Sequence, residues 1–506
     1  MGLGLSLAIA SGEIATINDQ FALLGHNVAN ASTPDFATET QSQQSVTAGG
    51  IGLGARATVT TRQINTQLQS SLFVQNGSVA AAQTTATALA PIDAAMGAPG
   101  SGSDIGSQLA TLTGQFASLQ SDPANATQQA QVVSASQTLA GTVNGIADAV
   151  QTARQDAQNA IVSGVQTLNA TLATIGSLNR QIITAQAAGS SSADLANQRD
   201  AAIQSLSGQV SINIYQQNNG GVLLATGNGL VLPTDGTAFA TSGATLGPGA
   251  YAPGGGVPAI TLAGRDVTGQ LTGGQLGADI ALRDRTLPTL QANIDQFAQT
   301  LSARFAAQGL TLFSDAAGSV PPGGGTPAQA GYVGYAAVMQ VNPAVLAQPS
   351  LVRDGTNAVA GSATGATAFT ANPPGGPAGF SALIQRVLTY AVGADVQTGV
   401  TQPAPPVSGL GPAGSLSAGF TAPPDLPALA AAVTAQEAQV SSATSASLST
   451  EQGVQSTLQS KLSSGSAVNI DTEMATMIQL QNAYEANAKV MTAVQSMWAA
   501  LNQAVS

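Results

Sequence analysis

The sequence predicts a mainly α fold with β-rich insertions, in which the terminal helices pair as a coiled coil, a long helical domain forms a rod, and a β-rich domain lies outside it. Three observations predict this class. Apolar residues repeat with alternating spacings of four and three residues at both ends, no proline lies between Pro123 and Pro233, and Gly and Pro concentrate between residues 311 and 426. A period of about 3.5 residues is typical of coiled coils, whereas chain rich in Gly and Pro does not form long helices.

The composition restricts the possible functions. The 506 residues are only 8% charged, with 13 basic and 25 acidic side chains, one histidine and no cysteine. The missing cysteines exclude disulfides, thiol catalysis and cysteine-bound zinc, and one histidine excludes sites that need several. Cations spread singly in a chain of net charge −12 do not form the clustered positive surface that nucleic acids require. We therefore expect no enzyme, no catalytic, cofactor-binding or metal-binding residues, and no nucleic-acid partner.

Each end of the chain carries one apolar stripe. The N-terminal stripe consists of Leu3, Leu7, Ala10, Ile14, Ile17, Phe21, Leu24 and Val28. The C-terminal stripe consists of Met477, Leu480, Tyr484, Asn487, Met491, Val494, Trp498 and Leu501. Each predicts a helix of roughly 40 Å whose apolar side is unstable in water unless a partner covers it. We expect the two ends to pair with each other and to form an assembly interface; the alternative is that each stripe packs on the body as an ordinary amphipathic helix.

The N-terminal segment also resembles the apolar part of a signal peptide. A secretory signal needs a basic region before it, however, and no Lys or Arg precedes Arg56. No apolar stretch approaches the ~18 residues that span a bilayer, so we expect no membrane insertion. Two interpretations remain open: a cytoplasmic protein, or export that leaves the N-terminus uncleaved.

Changes of period divide the chain between these ends. A short alternating segment follows the first helix, and Asp122 and Pro123 predict the start of a long helix. The helical period gives way to alternation at Val210, returns at Leu287, and yields to Gly- and Pro-rich chain with one short helix near 382–390. The predicted units are the N-terminal helix (1–48), three parts of a helical rod domain (49–209, 271–310 and 427–465), a β insertion (210–270), a β-rich outer domain (311–426) and the C-terminal helix (466–506).

Three features suggest chemistry, and each has a simpler interpretation. Residues 409–414, GLGPAG, match a dinucleotide-binding fingerprint formally but lack the strand and helix that it needs. His26 ends a helix and is expected to be a partly solvated histidine. Asp200 and Asp284 each follow an arginine and are expected to form ion pairs on or between helices rather than a pair of catalytic carboxylates.

Two terminal motifs resemble a known family. Residues 27–36, NVANASTPDF, resemble the signature shared by bacterial flagellar rod, hook and hook-associated proteins, through Asn27, Asn30, Thr33, Pro34 and Phe36. Residues 468–503 look like the C-terminal helix of the same family, matching at Glu473, Met474, Met477, Gln481, Ala483, Tyr484, Asn487 and Ala488. Between them, DLANQRDAAIQSLSGQVSINIY and other segments resemble the hook-associated members. Asp35 stands where the family usually has Gly, and Asn197 where Asp is frequent.

The resemblance implies a structural, extracellular role in the flagellum. It implies export through the flagellar type III apparatus without a cleaved signal, and polymerisation through the terminal helices at the junction of hook and filament. The implied partners are further copies of the chain, hook protein, a second junction hook-associated protein, and an export chaperone that covers the C-terminal helix. Two alternatives are a flagellar hook protein and an exported surface adhesin with a coiled-coil stalk. The helical rod predicted from 123 to 187 favours the junction role, because a mainly β outer body does not require it.

Overall fold

The structure is a computed structural model that describes residues 2–33, 36–48 and 51–505. Long helices form most of it, as the sequence predicts. The helices are α1 (Leu3–Ala29), α2 (Thr66–Met96), α3 (Ile105–Ser121), α4 (Ala126–Ala187), α5 (Ala193–Gln209), α6 (Gly274–Ala281), α7 (Leu287–Ala307), α8 (Pro343–Ala347), α9 (Leu351–Asp354), α10 (Ala382–Arg386), α11 (Leu426–Ser466) and α12 (Ile470–Val505). The predicted mainly α class is therefore confirmed.

The longest helix, α4, begins later than the sequence indicates. Asp122 is the C-terminal cap of α3, and Asn125 is the N-terminal cap of α4. The side-chain oxygen of Asn125 accepts hydrogen bonds from the amides of Thr127 at 3.0 Å and Gln128 at 3.2 Å. A cap must reach the second and third amides of its helix, and Asn125 stands at that spacing, so the expected cap at Asp122 was wrong. The helix then continues through four glycines. At Gly176 a side chain would overlap the carbonyl oxygen of Thr234, so a close backbone approach requires glycine there.

Two apolar cores lie one after the other along α2 and α4. The first core joins α2, α3, α4, α7, α11 and the Gly- and Pro-rich segment, and includes Leu89, Ile92, Leu109, Phe116, Val143, Phe297, Leu301 and Phe305. The second core joins α2, α4 and α5 to the β insertion, and includes Phe73, Ile161, Val165, Leu168, Ile203, Leu224 and Ile260. Because α2 and α4 run through both cores, they connect them as one helical body.

The predicted β insertion at 210–270 is a hairpin followed by short strands. Strands β5 (Ile212–Gln216) and β6 (Val222–Thr226) pair antiparallel, with Ile214 opposite Leu224. A three-stranded sheet follows, formed by β7 (Phe239–Ala240), β8 (Thr261–Leu262) and β9 (Arg265–Asp266). The hairpin places Ile212, Val222 and Leu224 against α4 in the second core.

The Gly- and Pro-rich segment contains less strand than its composition predicts. Its strands are pairs of two or three residues: β10 (Phe313–Ser314) with β11 (Gln340–Val341), β12 (Asp395–Gln397) with β13 (Val400–Thr401), and β14 (Ser408–Leu410) with β15 (Leu416–Ser417). Many of its apolar side chains belong to the first core. The buried Asp295 of α7 fastens the segment, because its carboxylate accepts hydrogen bonds from the amides of Gly334 at 2.7 Å and Ala336 at 2.9 Å. The segment is therefore packed onto the helices rather than held apart from them.

At the ends of the chain, α1 lies along α12. Between α1 and α2 run β1 (Glu39–Thr40), β2 (Gln43–Ala48), β3 (Ile51–Ala57) and β4 (Thr61–Arg62), with β2 paired to β3 and β1 to β4. The β2–β3 hairpin packs on α1. Gly54 of β3 lies next to Ile9 of α1, so that a side chain at position 54 would contact Ile9. The domain boundary expected at 48 and 49 falls inside this hairpin. Within the described residues, no helix is long and apolar enough to cross a membrane.

Candidate assembly site

The two terminal helices form an antiparallel pair. Asn27, near the end of α1, donates to the carboxylate of Glu473 at the start of α12 at 3.4 Å. Two turns further along, Gln20 and Leu480 line the same cleft, which has a volume of about 470 Å³. Position numbers fall on α1 as they rise on α12, so the chain's two ends run in opposite directions along each other.

The N-terminal stripe faces inward along its whole length. Ala10, Ile17 and Leu24 are buried, and Ile17 is 1% exposed. The other members, Leu3, Leu7, Ile14, Phe21 and Val28, are half-buried. The seven-residue spacing of the buried positions is the repeat that keeps one side of a helix against its partner.

The C-terminal stripe is covered over only part of its length. Val494 is 5% exposed, and Met477, Leu480, Asn487 and Met491 are half-buried. Tyr484 is 40% exposed, and Trp498 and Leu501 are each 51% exposed. Leu3 lies 24 residues before Asn27, and Met497 lies 24 residues after Glu473, so α12 extends past the start of α1 from about Trp498 onward. By this register the last two stripe positions lie at or beyond the start of α1, and both are exposed.

The C-terminal helix also exposes apolar side chains that the stripe does not include. These are Ile470, Met474, Ile478, Val490 and Met497. Asn487, the polar member of the stripe, donates to the carbonyl of Ala483 in its own helix at 3.1 Å. The Asn487 amide therefore bonds within its own helix, and the hydrogen bond that joins α1 to α12 comes from Asn27 instead.

Asn27 connects three segments of the chain. Its amide nitrogen donates to the carbonyl of Glu39 at 2.9 Å, and its oxygen accepts from the Glu39 amide at 3.1 Å. With the contact to Glu473, this buried side chain ties α1 to β1 and to α12. A carboxamide is suited to this position because it carries a donor and an acceptor on one planar group.

The other members of the N-terminal motif shape the turn after α1. Asn30 donates to the carbonyl of His26 at 3.0 Å, and the hydroxyl of Thr33 donates to Asn30 at 3.1 Å. Phe36 is buried, with its ring edge-on to the ring of His26 at 5.5 Å between centroids. Pro34 and the departure at Asp35 lie outside the described residues. The described motif residues therefore hold the turn by which the chain passes from α1 into β1.

A second set of contacts joins this turn to the helical body. Both the amide and the hydroxyl of Thr38 donate to the carbonyl of Ser466, the last residue of α11, at 2.8 and 3.0 Å. Asn197 of α5 donates to the Glu39 carboxylate at 3.2 Å and accepts from Arg62 at 3.1 Å. Arg62 also forms an ion pair with Asp200 at 2.7 Å. The terminal pair is therefore attached to α5 and α11 through a mostly buried polar network.

Two models of flagellar protein families match parts of the chain. The model of the flagellar hook-associated protein FlgK helical domain matches residues 89–319, and the model of the flagellar basal body rod FlgEFG protein C-terminal region matches residues 459–504. The first match covers 231 of the 506 residues. The chain belongs to the flagellar hook-associated protein family. Its helical-domain match contains the whole of α3, α4, α5 and α7, and its C-terminal match contains most of α12.

Individual relatives of this family are more distant. Flagellar hook-associated protein 1 of Bacillus subtilis (strain 168) is 25% identical over 218 residues, which cover 41% of this chain and 43% of the relative. The chain thus matches less than half the length of that relative. The flagellar hook junction protein FlgK from Burkholderia pseudomallei is similar in structure over 50% of this chain and 45% of its own, with 23% sequence identity and a TM-score of 0.41.

Burial and charge act together on the polar network of this family member. Burial raises the pKa of Glu39, although the nearby His26 and Arg62 and the hydrogen bond from Asn197 lower it. Burial disfavours the charged form of a base as well, so it lowers the pKa of Arg199, whereas the neighbouring Asp200 raises it. Sequence reasoning missed Glu39 and Arg62. The sequence held only a weak indication of their role: charged residues are scarce in this chain, and a charged side chain that is buried needs a partner.

The residues considered for chemistry occupy structural positions. His26 lies 3.8 Å from Glu39 and 4.0 Å from Asp194. Asp200 pairs with Arg62, and Asp284 pairs with its neighbour Arg283 at 2.6 Å, so both form the ion pairs that the sequence predicts, although in largely buried surroundings. Residues 409–414 belong to the β14–β15 hairpin. Across the part of the chain that the structure describes, no group of three or more His, Cys, Asp or Glu side chains could hold a metal ion.

Proposed function

We propose that the chain is a structural subunit of the bacterial flagellum that polymerises at the junction of hook and filament. The observation that carries the proposal is the exposed apolar row of the terminal pair, set on a body that matches the helical domain of hook-associated proteins. Trp498, Leu501, Met497 and Ile478 are each at least half exposed. Large apolar side chains grouped on one helix mark a surface that a partner covers.

Further copies of the chain suit this surface best. Side by side, the α1–α12 pairs of neighbouring copies would cover the outer apolar residues of α12 and extend the pairing into a tube. The assembly residues proposed from the sequence are Leu3, Leu7, Ile14, Ile17, Phe21, Leu24, Val28, Met477, Leu480, Tyr484, Asn487, Met491, Val494, Trp498 and Leu501. The inward-facing members hold the pair together, and the exposed members of α12 face the neighbours.

The remaining partners follow from a position between two other polymers. Hook protein would lie on one side of the ring of copies, and the second junction hook-associated protein on the other. Before export through the type III apparatus, a chaperone with an apolar groove would cover α12, because the same side chains are exposed in a single chain. These roles place the chain outside the cell, in the flagellum.

Immunogold electron microscopy on isolated flagella tests this proposal. With antibody raised against residues 311–426, we expect label at one spot between hook and filament. Flagella from a strain that lacks the chain are the control and should remain unlabelled. Label along the whole hook would support the hook-protein alternative instead, and label on the cell surface with unlabelled flagella would support the adhesin.

A further inference from the structure

A groove between α2 and α4 has no role in the terminal assembly site. It lies where the two apolar cores meet, is lined by small side chains such as Ala80, Thr84, Ala88 and Ala153, and has a volume of about 680 Å³. From Ala80 to Pro91 it follows about 17 Å of α2, at 1.5 Å per residue. We call it the α2–α4 groove. Its alanine and threonine methyl groups leave room that the protein's own side chains do not fill.

One end of the α2–α4 groove holds a buried acid without a partner. Asp279 of α6 is 5% exposed and lines the groove, and its side-chain carboxyl group forms no hydrogen bond or ion pair with any described residue. Burial alone raises its pKa, to about 7, and no neighbouring charge contributes. Asp156 of α4 lines the same groove. Since an unpaired buried carboxylate is costly, this position is complementary to a cation supplied from outside the chain.

The opposite side of the molecule presents such a cation. Gln75 and Asp93 of α2 contact Glu451 and Ser441 of α11. Thr84 is nine residues from each, which is two and a half turns, so the groove faces away from α11. On α11, Lys461 is exposed and forms no ion pair with any described residue, and Val454, two turns before it, is also exposed.

We propose that the α2–α4 groove of one copy receives α11 of a second copy, with Lys461 paired to Asp279. The contact joins two different faces, and contacts of this type build rings or helical polymers rather than closed dimers. Lys461 would supply the missing charge, and Val454 would pack on the methyl groups toward Ala88, which lies about 12 Å from Ala80 along α2. The inference rests on the proposed polymer and adds a second contact between copies, outside the terminal helices.

Engineered cysteines test the contact directly, because the chain has none of its own. Chains carrying Ala88→Cys and chains carrying Val454→Cys are co-expressed, and isolated flagella are oxidised. We expect disulfide-linked dimers of the two variants. Ala90→Cys is the matched control, because Ala90 is exposed outside the groove and should not form a link with Val454→Cys. Equal linking at both positions, or linking at neither, would overturn the proposal.

Charge exchange provides the second test. Asp279→Lys and Lys461→Asp should each lower the amount of the chain in isolated flagella by about tenfold, because like charges then meet in the interface, and the double variant should restore it. Asp148→Lys, exposed on α4 outside the groove, should have no effect.

Lys461 is on the surface, so the Lys461→Asp result does not depend on whether the Asp279→Lys chain folds. Normal incorporation of both single variants, at the hook-filament junction, would refute this contact and leave the proposed function intact. Absence of the unmodified chain from flagella would refute the function itself.

Discussion

At the scale of single residues, the motif at the end of α1 works through hydrogen bonds to the backbone and to other side chains. Asn27 binds both polar groups of the Glu39 backbone, and Asn197 reaches the Glu39 side chain from α5. This contact suits an asparagine at position 197. An aspartate could not donate to a carboxylate, whereas the asparagine amide does so. The asparagine at 197 is therefore the better match to the carboxylate of Glu39.

Exchanging the amide and the acid at this pair tests the argument. Asn197→Asp places two carboxylates in contact and should reduce the free energy of unfolding by about 1 to 3 kcal/mol. Asn197→Asp combined with Glu39→Gln restores one donor and one acceptor, so most of that loss should be recovered. Urea unfolding followed by circular dichroism measures both. A double variant no more stable than the single variant would show that the contact at 3.2 Å does not govern the choice.

At the scale of helices, α2 and α11 are joined by polar contacts that involve acids. Asp93 of α2 contacts the hydroxyl of Ser441, and Glu437, one turn earlier on α11, is 3% exposed. One carboxyl oxygen of Glu437 has no hydrogen-bond partner. Burial raises the pKa of Glu437 to about 8, and the nearby Asp93 carboxyl raises it as well. A proton held between the two acids removes a repulsion that would otherwise lie between these helices.

This arrangement predicts that the protein becomes less stable as the pH rises. An acid whose pKa is raised by folding binds more protons in the folded than in the unfolded state, so stability falls between its ordinary value near 4.5 and about 8. Glu437 alone should contribute a loss of roughly 1 kcal/mol per pH unit in this window, measured by urea unfolding at pH 6, 7 and 8. Asp279 and Asp295, both raised to about 7 by burial, act in the same direction.

The variant Glu437→Gln isolates the contribution of α11. It should be more stable than the unmodified protein at pH 8 and should show a smaller slope of stability against pH. Glu451→Gln is a comparison on the same helix. The Glu451 carboxylate contacts the amide of Gln75 rather than another acid, so this variant should keep the original slope. A slope that Glu437→Gln leaves unchanged would place the pH dependence elsewhere.

At the scale of the whole molecule, the body and the terminal pair are separate in their packing. Both large apolar cores lie in α2 to α11 and the insertions, and neither includes a residue of α1 or α12. The terminal pair is fastened to the body by the polar network around Asn27, Thr38 and Asn197. Changes to the seam of the terminal pair should therefore affect assembly without unfolding the body.

Val494→Asp tests this separation. A carboxylate at a position that is 5% exposed between α1 and α12 should disrupt their pairing and reduce incorporation into flagella by about tenfold or more, because an unpaired buried charge is strongly unfavourable. The unfolding midpoint of the body should change little. Gln495→Asp, exposed on the next position of α12, should assemble normally. Filaments that contain the Val494→Asp chain at normal levels would contradict the role of the seam.

The sequence by itself determined the elements with the strongest periodicity. The two terminal stripes, the long α4 and the return of helix at α7 follow from apolar spacing, because a helix that must bury one side repeats that side every three to four residues. The order of helical and β-rich units follows in the same way. Glycine and proline content indicated where long helices stop, although Gly176 lies inside α4 because Thr234 packs against it.

The tertiary structure decided what spacing does not encode. The overhang of α12 beyond α1 leaves Trp498 and Leu501 exposed, although their period matches that of the buried Val494. The Gly- and Pro-rich segment joins the first core because Asp295 binds its backbone from α7, a contact between residues about 40 positions apart. The groove at Asp279 lies between α2 and α4, where the two cores meet. Such features depend on which elements meet and in what register, and local sequence patterns record only the side that each element buries.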